Sequence, residues 1–462
     1  MKQLTLLFTL CLVLLASCRQ AEVPTQYTDS SQLPKMYPYY VDVMIPINIA
    51  PLSMELCQQA QDVVVRYATS GEEIVCGGKK AMPAIDEWKD LTSKAAGGDI
   101  TVEVFAKNDD KWTRFKPFAI HVSKDSIDPY ISYRLIAPSY VTYEELTINQ
   151  RCLENYDESV IYNNMLLSVE TDGQCINCHN YQAYNPNRMQ FHARQNHGGT
   201  VVAYDGKVKK VNMKNDSILS AGVYPAWHPW LKLIAYSTNK TMQSFHTRNI
   251  NKIEVFDSQS DLIIYDVDKN EVTNIENDST EFECYPAWSP DGKWLYYVSA
   301  HFEFRDTIPH EAECIKRSKE IKYSIYRKSF NPETMQFGPR EMVFDAASIG
   351  KSATLPRISP DGKYLLFSMG EWGCFHIWHR DADLYMLRLA DNKVWPLTKT
   401  NSPQAESFHN FSSNGKWIIF SSRRNDGDYT RLFFAHVDAD GNTTKAFELP
   451  QQDPDFHRMF MK

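Results

Sequence analysis

The chain has 462 residues and a formal net charge of −8, with 43% hydrophobic, 23% charged and 13% aromatic residues. That length predicts two or three domains, and the ordinary apolar content excludes extensive disorder. The acidic balance excludes nucleic acid as a partner, because nothing in the sequence supplies the basic surface that phosphates require.

Met1-Lys2-Gln3 gives a short positive start, and residues 4–16 are almost unbroken apolar sequence. A run of about a dozen apolar residues is short for a bilayer span and reads as the core of a signal peptide. Leu15-Ala16-Ser17-Cys18 resembles a lipobox, which implies cleavage before Cys18 and acylation of its thiol. The expectation is a signal peptide over 1–17, a polar tether over 18–36, and a protein lipid-anchored to the bacterial cell envelope. Arg19 follows the cysteine in place of an acidic residue, favouring the outer membrane on its periplasmic side. No later segment is long and apolar enough for a second span.

Residues 37–139 read mainly as strands. Ile100, Val102 and Val104 alternate with Thr101 and Glu103, Asn108-Asp109-Asp110 makes a turn, and residues 112–122 return as the partner strand. Residues 84–96 are the one helical stretch, stopped by Gly97-Gly98. A small β-sandwich-like domain is expected here, serving as spacer or interaction module.

Residues 140–198 hold few alternating runs and many Asn, Gln, Tyr and His residues, and are expected to form a linker with a cofactor-binding segment. Within it lies Cys175-Ile176-Asn177-Cys178-His179. Two thiols three positions apart can form thioethers to the two vinyl groups of one haem, and the adjacent His179 supplies an axial imidazole to its iron. Export strengthens this reading, because c-type haem is attached outside the cytoplasm. A Cys-x-x-Cys disulfide competes, without a thioredoxin-like strand–helix context. Zinc competes too, with His192 and His197 as further ligands. For haem, Tyr181, Tyr184 and Phe191 supply rings, and Met189, His192 and His197 are candidates for the second axial position, His192 first. An open iron site is the further option. Arg188 and Arg194 are placed to neutralise propionates. Each has a plain alternative, since a lone Met is usually core and an Arg usually a solvated charge. Six further cysteines, Cys57, Cys76, Cys152, Cys284, Cys314 and Cys374, could pair in an oxidising compartment, Cys57 with Cys76 being the most local pair.

Over 199–462 one pattern recurs. Its copies are Pro225-Ala226-Trp227-His228-Pro229, then Pro286-Ala287-Trp288-Ser289-Pro290-Asp291-Gly292-Lys293, then Pro356-Arg357-Ile358-Ser359-Pro360-Asp361-Gly362-Lys363. A weaker copy is His409-Asn410-Phe411-Ser412-Ser413-Asn414-Gly415-Lys416. Each precedes a near-continuous apolar strand, and they recur roughly every 50 to 70 residues, the scale of propeller blades with insertions. Second hairpins over 261–275, 323–343, 384–397 and 431–449 give four strands per blade. The repeat resembles the WD40-like repeat of TolB-type proteins, over a little more than half of the chain. That resemblance implies a mainly β chain with a C-terminal β-propeller of five or six blades, in which residues 199–213 could close the ring with the C-terminus. The cysteine segment is similar to one in exported TolB-like lipoproteins with cytochrome c character, at Cys175, Asn177, Cys178, His179, Pro186, Met189, His192, Gly198, Gly199 and Thr200. It implies one covalent haem and names no reaction.

His246, His301, His376, His379 and Arg423 follow second strands, and His409 precedes a first strand, so they are expected at one end of the ring. No Gly-x-Ser-x-Gly is present, and Gly350-Lys351-Ser352 has Asp345 where a phosphate loop needs glycine. Three functions remain: electron transfer to a redox partner, a module binding an envelope protein, glycan or peptidoglycan around a structural haem or metal, and a haem oxidoreductase.

Overall fold

A computed structural model describes residues 21–136, 146–166, 174–249, 251, 253–305 and 307–456. Cys18 and the signal segment lie outside the described residues. Among those described, no helix is long and apolar enough to cross a membrane. The chain divides into two units.

The first unit takes residues to Ser126, with Glu154–Tyr156 and Pro450–Phe456. Its central strand, Asp99–Asn108, pairs along one edge with Asp62–Thr69. The other edge is shared by two short strands, Lys111–Arg114 and Phe118–Val122. These were expected as one continuous strand. Pro117 separates them, because proline has no N–H to give the ladder. Asp109 and Asp110 both take positive φ, as a two-residue hairpin turn requires. The helix spans Ile85–Lys94 and buries Trp88 and Leu91. The Trp88 ring lies edge-on to Tyr67 at 5.6 Å, and its indole N–H donates to the Ile49 carbonyl at 3.1 Å. A second, three-stranded sheet joins Met36–Tyr37, Met54–Leu56 and Lys80–Ala81.

The second unit is a β-propeller. Five four-stranded antiparallel blades span 176–211, 223–276, 281–344, 352–396 and 406–448. The repeat's chemistry explains the turn that begins each hairpin. In three blades a serine hydroxyl donates to the side chain two residues on, Ser289 to Asp291 at 2.5 Å, Ser359 to Asp361 at 2.6 Å and Ser412 to Asn414 at 2.7 Å. The same hydroxyls accept the N–H of Trp294, Tyr364 and Trp417, which opens the second strand. Gly292, Gly362 and Gly415 supply the positive φ that closes the turn.

The inner strands are Ile176–Tyr181, Val223–Trp227, Glu281–Trp288, Ser352–Ile358 and Glu406–Phe411. Every one carries the same bulge, with one residue in the left-handed region: Cys178, Tyr224, Tyr285, Leu355 and Phe408. The cysteine motif is therefore the first blade's inner strand, and His179 stands where other blades have Pro225, Pro286, Pro356 and His409. Among the described residues of 140–198, strands stand where a linker was expected. Its Asn, His and Gln residues occupy a strand partly open to solvent, so the alternation of a buried strand is absent. Strands Gly199–Tyr204 and Lys207–Val211 are the outer half of that same blade and do not close the ring with the C-terminus.

Closure comes from a three-stranded sheet, Tyr130–Ile136, Leu146–Cys152 and Glu158–Asn163. On one side Leu146 and Ile148 pack with Ile176, Met189 and Phe191 of the first blade. On the other, the Asp128 carboxylate accepts the Ser413 N–H at 2.7 Å and the Ser413 hydroxyl, in the hairpin turn of the fifth blade. Ile136 packs at the opposite end of the ring, with Ile253, Val255, Ile377 and Trp378. Tyr130–Ile136 thus starts beside a hairpin turn and runs away from it, as second strands do. Among the described residues the sixth sheet has no inner strand. Asp128→Ala is expected to lower stability by about 1 kcal/mol, the net worth of a hydrogen bond to a charged acceptor at the surface, read by urea denaturation.

Candidate functional site

The missing inner strand leaves the first blade's inner strand facing the edge of Tyr130–Ile136. From Asn177 to Tyr181 every residue keeps part of its surface accessible, whereas the inner strand of the third blade is buried from Phe282 to Trp288. The His179 Nε2 lies 3.3 Å from the Ser132 carbonyl on that edge. This bond needs a proton on Nε2. Burial pushes the His179 imidazole down to about 4, with the Arg134 guanidinium acting in the same direction, so it is neutral at physiological pH.

All eight described cysteines are unbridged, Cys175 and Cys178 among them. The Cys175 sulfur accepts the Asn177 side-chain N–H at 2.8 Å, and its backbone N–H donates to the Gln195 side chain at 3.0 Å. Burial raises the Cys178 thiol, while Arg194, the Tyr224 backbone and Arg134 pull it back toward the thiolate. The Cys57–Cys76 pair does not form. Cys57 follows Met54–Leu56 of the three-stranded sheet, whereas Cys76 lies in Glu72–Gly77, which pairs with Asp62–Thr69 of the other sheet.

Strand Arg188–Ala193 sorts the remaining candidates by alternation. Met189, Phe191 and Ala193 face the apolar cluster shared with the closing sheet, where Phe191 meets Tyr162 at 4.7 Å. Gln190 and His192 face the second blade. Gln190 accepts from the Tyr236 hydroxyl at 3.2 Å, and His192 Nδ1 lies 3.3 Å from the Thr200 hydroxyl. Burial pushes His192 down to about 4, and Arg194 adds to this. Met189 and His192 therefore point to opposite faces of one sheet. His197 ends a short 3-10 turn, Gln195–His197, and its carbonyl accepts from Lys210 at 3.4 Å.

Arg188 does not serve the site. It makes a two-pronged pair with Asp205, at 2.9 and 3.2 Å, and stacks over Tyr204. The alternation of its strand turns it toward the blade's far hairpin. Arg194 stays exposed beside Cys178 and His192. Arg134, half-buried and without an ion pair among the described residues, lies close enough to His179 to act on its imidazole. Only ring closure brings it there, and no local signal in the sequence could have shown it. Among the described residues no three His, Cys, Asp or Glu side chains converge as a metal site, so the four zinc candidates are not gathered.

The expected histidine cluster forms in part. His379 Nε2 lies 2.9 Å from the Glu254 carboxylate, His246 is 3.8 Å from the same carboxylate, and the His376 and His379 rings are 5.7 Å apart. Arg423 covers Trp378 at 4.5 Å. His301 instead pairs with Glu281 at 3.1 Å. His409 is within its strand and buried, donating from Nε2 to the Leu355 carbonyl at 2.7 Å, because that strand begins earlier than the repeat suggested.

No protein-family model matches the chain, and no curated protein does. Among solved structures it is similar to a luciferin-regenerating enzyme, at 11% identity and a TM-score of 0.39 over 70% of this chain and 95% of that one. It is also similar to an auxiliary nutrient binding protein from Bacteroides thetaiotaomicron, at 10% identity and 0.37 over 90% and 99%. The tricorn protease aligns at 11% identity and 0.37, over 77% of this chain and 34% of its own. Likenesses this distant carry no argument about activity, and the propeller rests on its blades.

Proposed function

We propose that this chain is a lipid-anchored cell-envelope protein of TolB-like propeller type that holds one c-type haem and passes electrons to a redox partner. One observation carries the reading: among the described residues Cys178 and a neutral His179 lie on an inner strand that keeps part of its surface open, and the unbridged Cys175 immediately precedes that strand. Cys175 and Cys178 would hold the haem through thioethers, and His179 would bind its iron after exchanging the Ser132 carbonyl for it. The residues fit the group, since an imidazole held neutral is ready to ligate and Arg134 and Arg194 supply cations beside it. The haem supplies one-electron chemistry. The chain's own part is to hold that imidazole, neutralise carboxylates and shield the ring with Tyr181 and Tyr184. Of the distal candidates, Met189 shares the face turned toward the closing sheet, and His192 does not.

The test is an absorption spectrum of the exported protein, made in cells that mature cytochromes. A haem that survives denaturation and is absent from Cys175→Ser/Cys178→Ser is expected. A correctly processed but colourless protein refutes the reading.

A further inference from the structure

A second site lies at the end of the ring away from the hairpin turns, where the chain passes between strands. Strand Ile253–Asp266 of the second blade carries Phe256 and Asp257 there. The segment ahead of strand Ser324–Asn331 brings Ser318, Ile321 and Tyr323, and the segment after strand Tyr364–Gly370 brings Trp372 and Cys374. Together they line a small cavity with about 10 Å³ open to the centre of a water-sized group, which is room for a single such group. Phe256, Ile321 and Tyr323 are buried, while Ser318 and Trp372 are half-buried and form its mouth. The Phe256 and Trp372 rings stack at 6.0 Å.

Among the described residues Asp257 is the only acidic or basic side chain on this cavity, and it is 4% exposed. Two donors share one of its oxygens: Asn239 donates from Nδ2 to Oδ2 at 3.0 Å, and the Cys374 thiol donates to the same Oδ2 at 3.3 Å. The other oxygen, Oδ1, is buried and has no partner among the described residues. Burial pushes the carboxyl up to about 6, against the pull of Cys374, Asn239 and Tyr323, so it is mainly ionised at neutral pH. A buried carboxylate with one oxygen unsatisfied and no counter-charge is costly unless a cation joins it. A divalent metal is a poor match, because it needs several oxygen ligands and the remaining wall is largely apolar.

We propose that this cavity binds the ammonium head of a small primary amine, with Asp257 Oδ1 as its counter-charge. A protonated amine brings three N–H donors on a head the size of a water molecule, so one donor meets Oδ1 in a charge-assisted hydrogen bond. Its carbon chain leaves through the mouth, where the Trp372 ring covers it. The site is independent of the haem proposed above.

The test titrates the full-length protein, at neutral pH and constant ionic strength, with the chlorides of methylammonium, butylammonium, tetramethylammonium and potassium, by calorimetry and thermal denaturation. Methylammonium and butylammonium are expected to bind saturably and to raise the melting temperature, butylammonium the more tightly because its methylenes are covered. Tetramethylammonium, with a larger head and no N–H, is expected not to bind, and potassium to bind about tenfold or more weakly than methylammonium. Asp257→Asn keeps the shape and removes the charge, and should lose about tenfold or more in methylammonium affinity. Without amine it should melt no lower than the parent, since it removes a buried charge that nothing balances. Trp372→Leu, at the half-buried mouth, should weaken butylammonium several-fold and leave methylammonium within about twofold. The proposal is overturned if neither primary amine binds, or if potassium or tetramethylammonium binds as tightly as methylammonium. Amine binding that survives Asp257→Asn overturns it equally.

Discussion

Ile148→Ala is expected to destabilise the propeller by ~2–5 kcal/mol and to make Cys178 react faster with a thiol alkylating reagent. Ile148 is fully buried on the middle strand of the closing sheet, against Ile176 and Phe191. Its removal leaves a cavity whose walls belong to two different sheets, so relaxation is limited on both sides. The closing sheet has only three strands and one flank tied by the Asp128–Ser413 contact, so this cluster carries most of the seam. Urea denaturation reads the first effect and alkylation kinetics the second. A stability loss without faster alkylation would mean that the seam does not control access to the thiols.

The recurrent blades were legible because their turn is written in side-chain chemistry. A serine hydroxyl, an acceptor two residues on and a glycine with positive φ leave few alternatives; three copies carry that turn, and a fourth with His228-Pro229 in its place made the period plain. The first blade was not legible, because it replaces the Tyr-Pro-Ala of its neighbours with Cys178-His179-Asn180 and uses a longer turn. The left-handed position accepts Cys, Tyr, Leu and Phe alike, so it is a backbone requirement with no residue signature. One signal was available: His409-Asn410 in the weakest copy aligns with His179-Asn180, placing the motif on an inner strand. The same alignment shows that a histidine there is compatible with a purely structural role, so what sets the first blade apart is its two thiols. Arg134 was beyond local reading: it is a single cation in an ordinary strand, and its nearness to His179 is visible only once the ring is closed around it.

Glu283→Gln is expected to remove a loss of stability that the parent protein suffers as pH rises. Glu283 is fully buried on the inner strand of the third blade, and neither carboxylate oxygen has a partner among the described residues. Burial first, then the carboxylates of Glu276, Asp261 and Glu281, push it up to about 8. Two of those neighbours have cations of their own. Lys328 pairs with Glu276, and Arg340 lies 3.0 Å from Glu281. Asp261 has none, and burial pushes it up to about 6. Among the described residues no positive charge is paired with Glu283 to stabilise its ionised form. The sign follows from linkage: between its ordinary value and about 8 the unfolded chain has released this proton while the folded protein keeps it, so stability falls with rising pH. The slope is roughly 1 kcal/mol per pH unit and ends once both states are ionised. Below about 6.5 the neutral buried histidines His179, His192, His228, His376 and His409 oppose it. Their folded values lie near 3 to 4, so their stability is lost as pH falls. The clean window is therefore pH 6.5 to 8, where unfolding free energies of parent and Glu283→Gln should diverge steadily in favour of the variant. Parallel curves across that window would show that Glu283 is ionised in the folded protein and has found a cation.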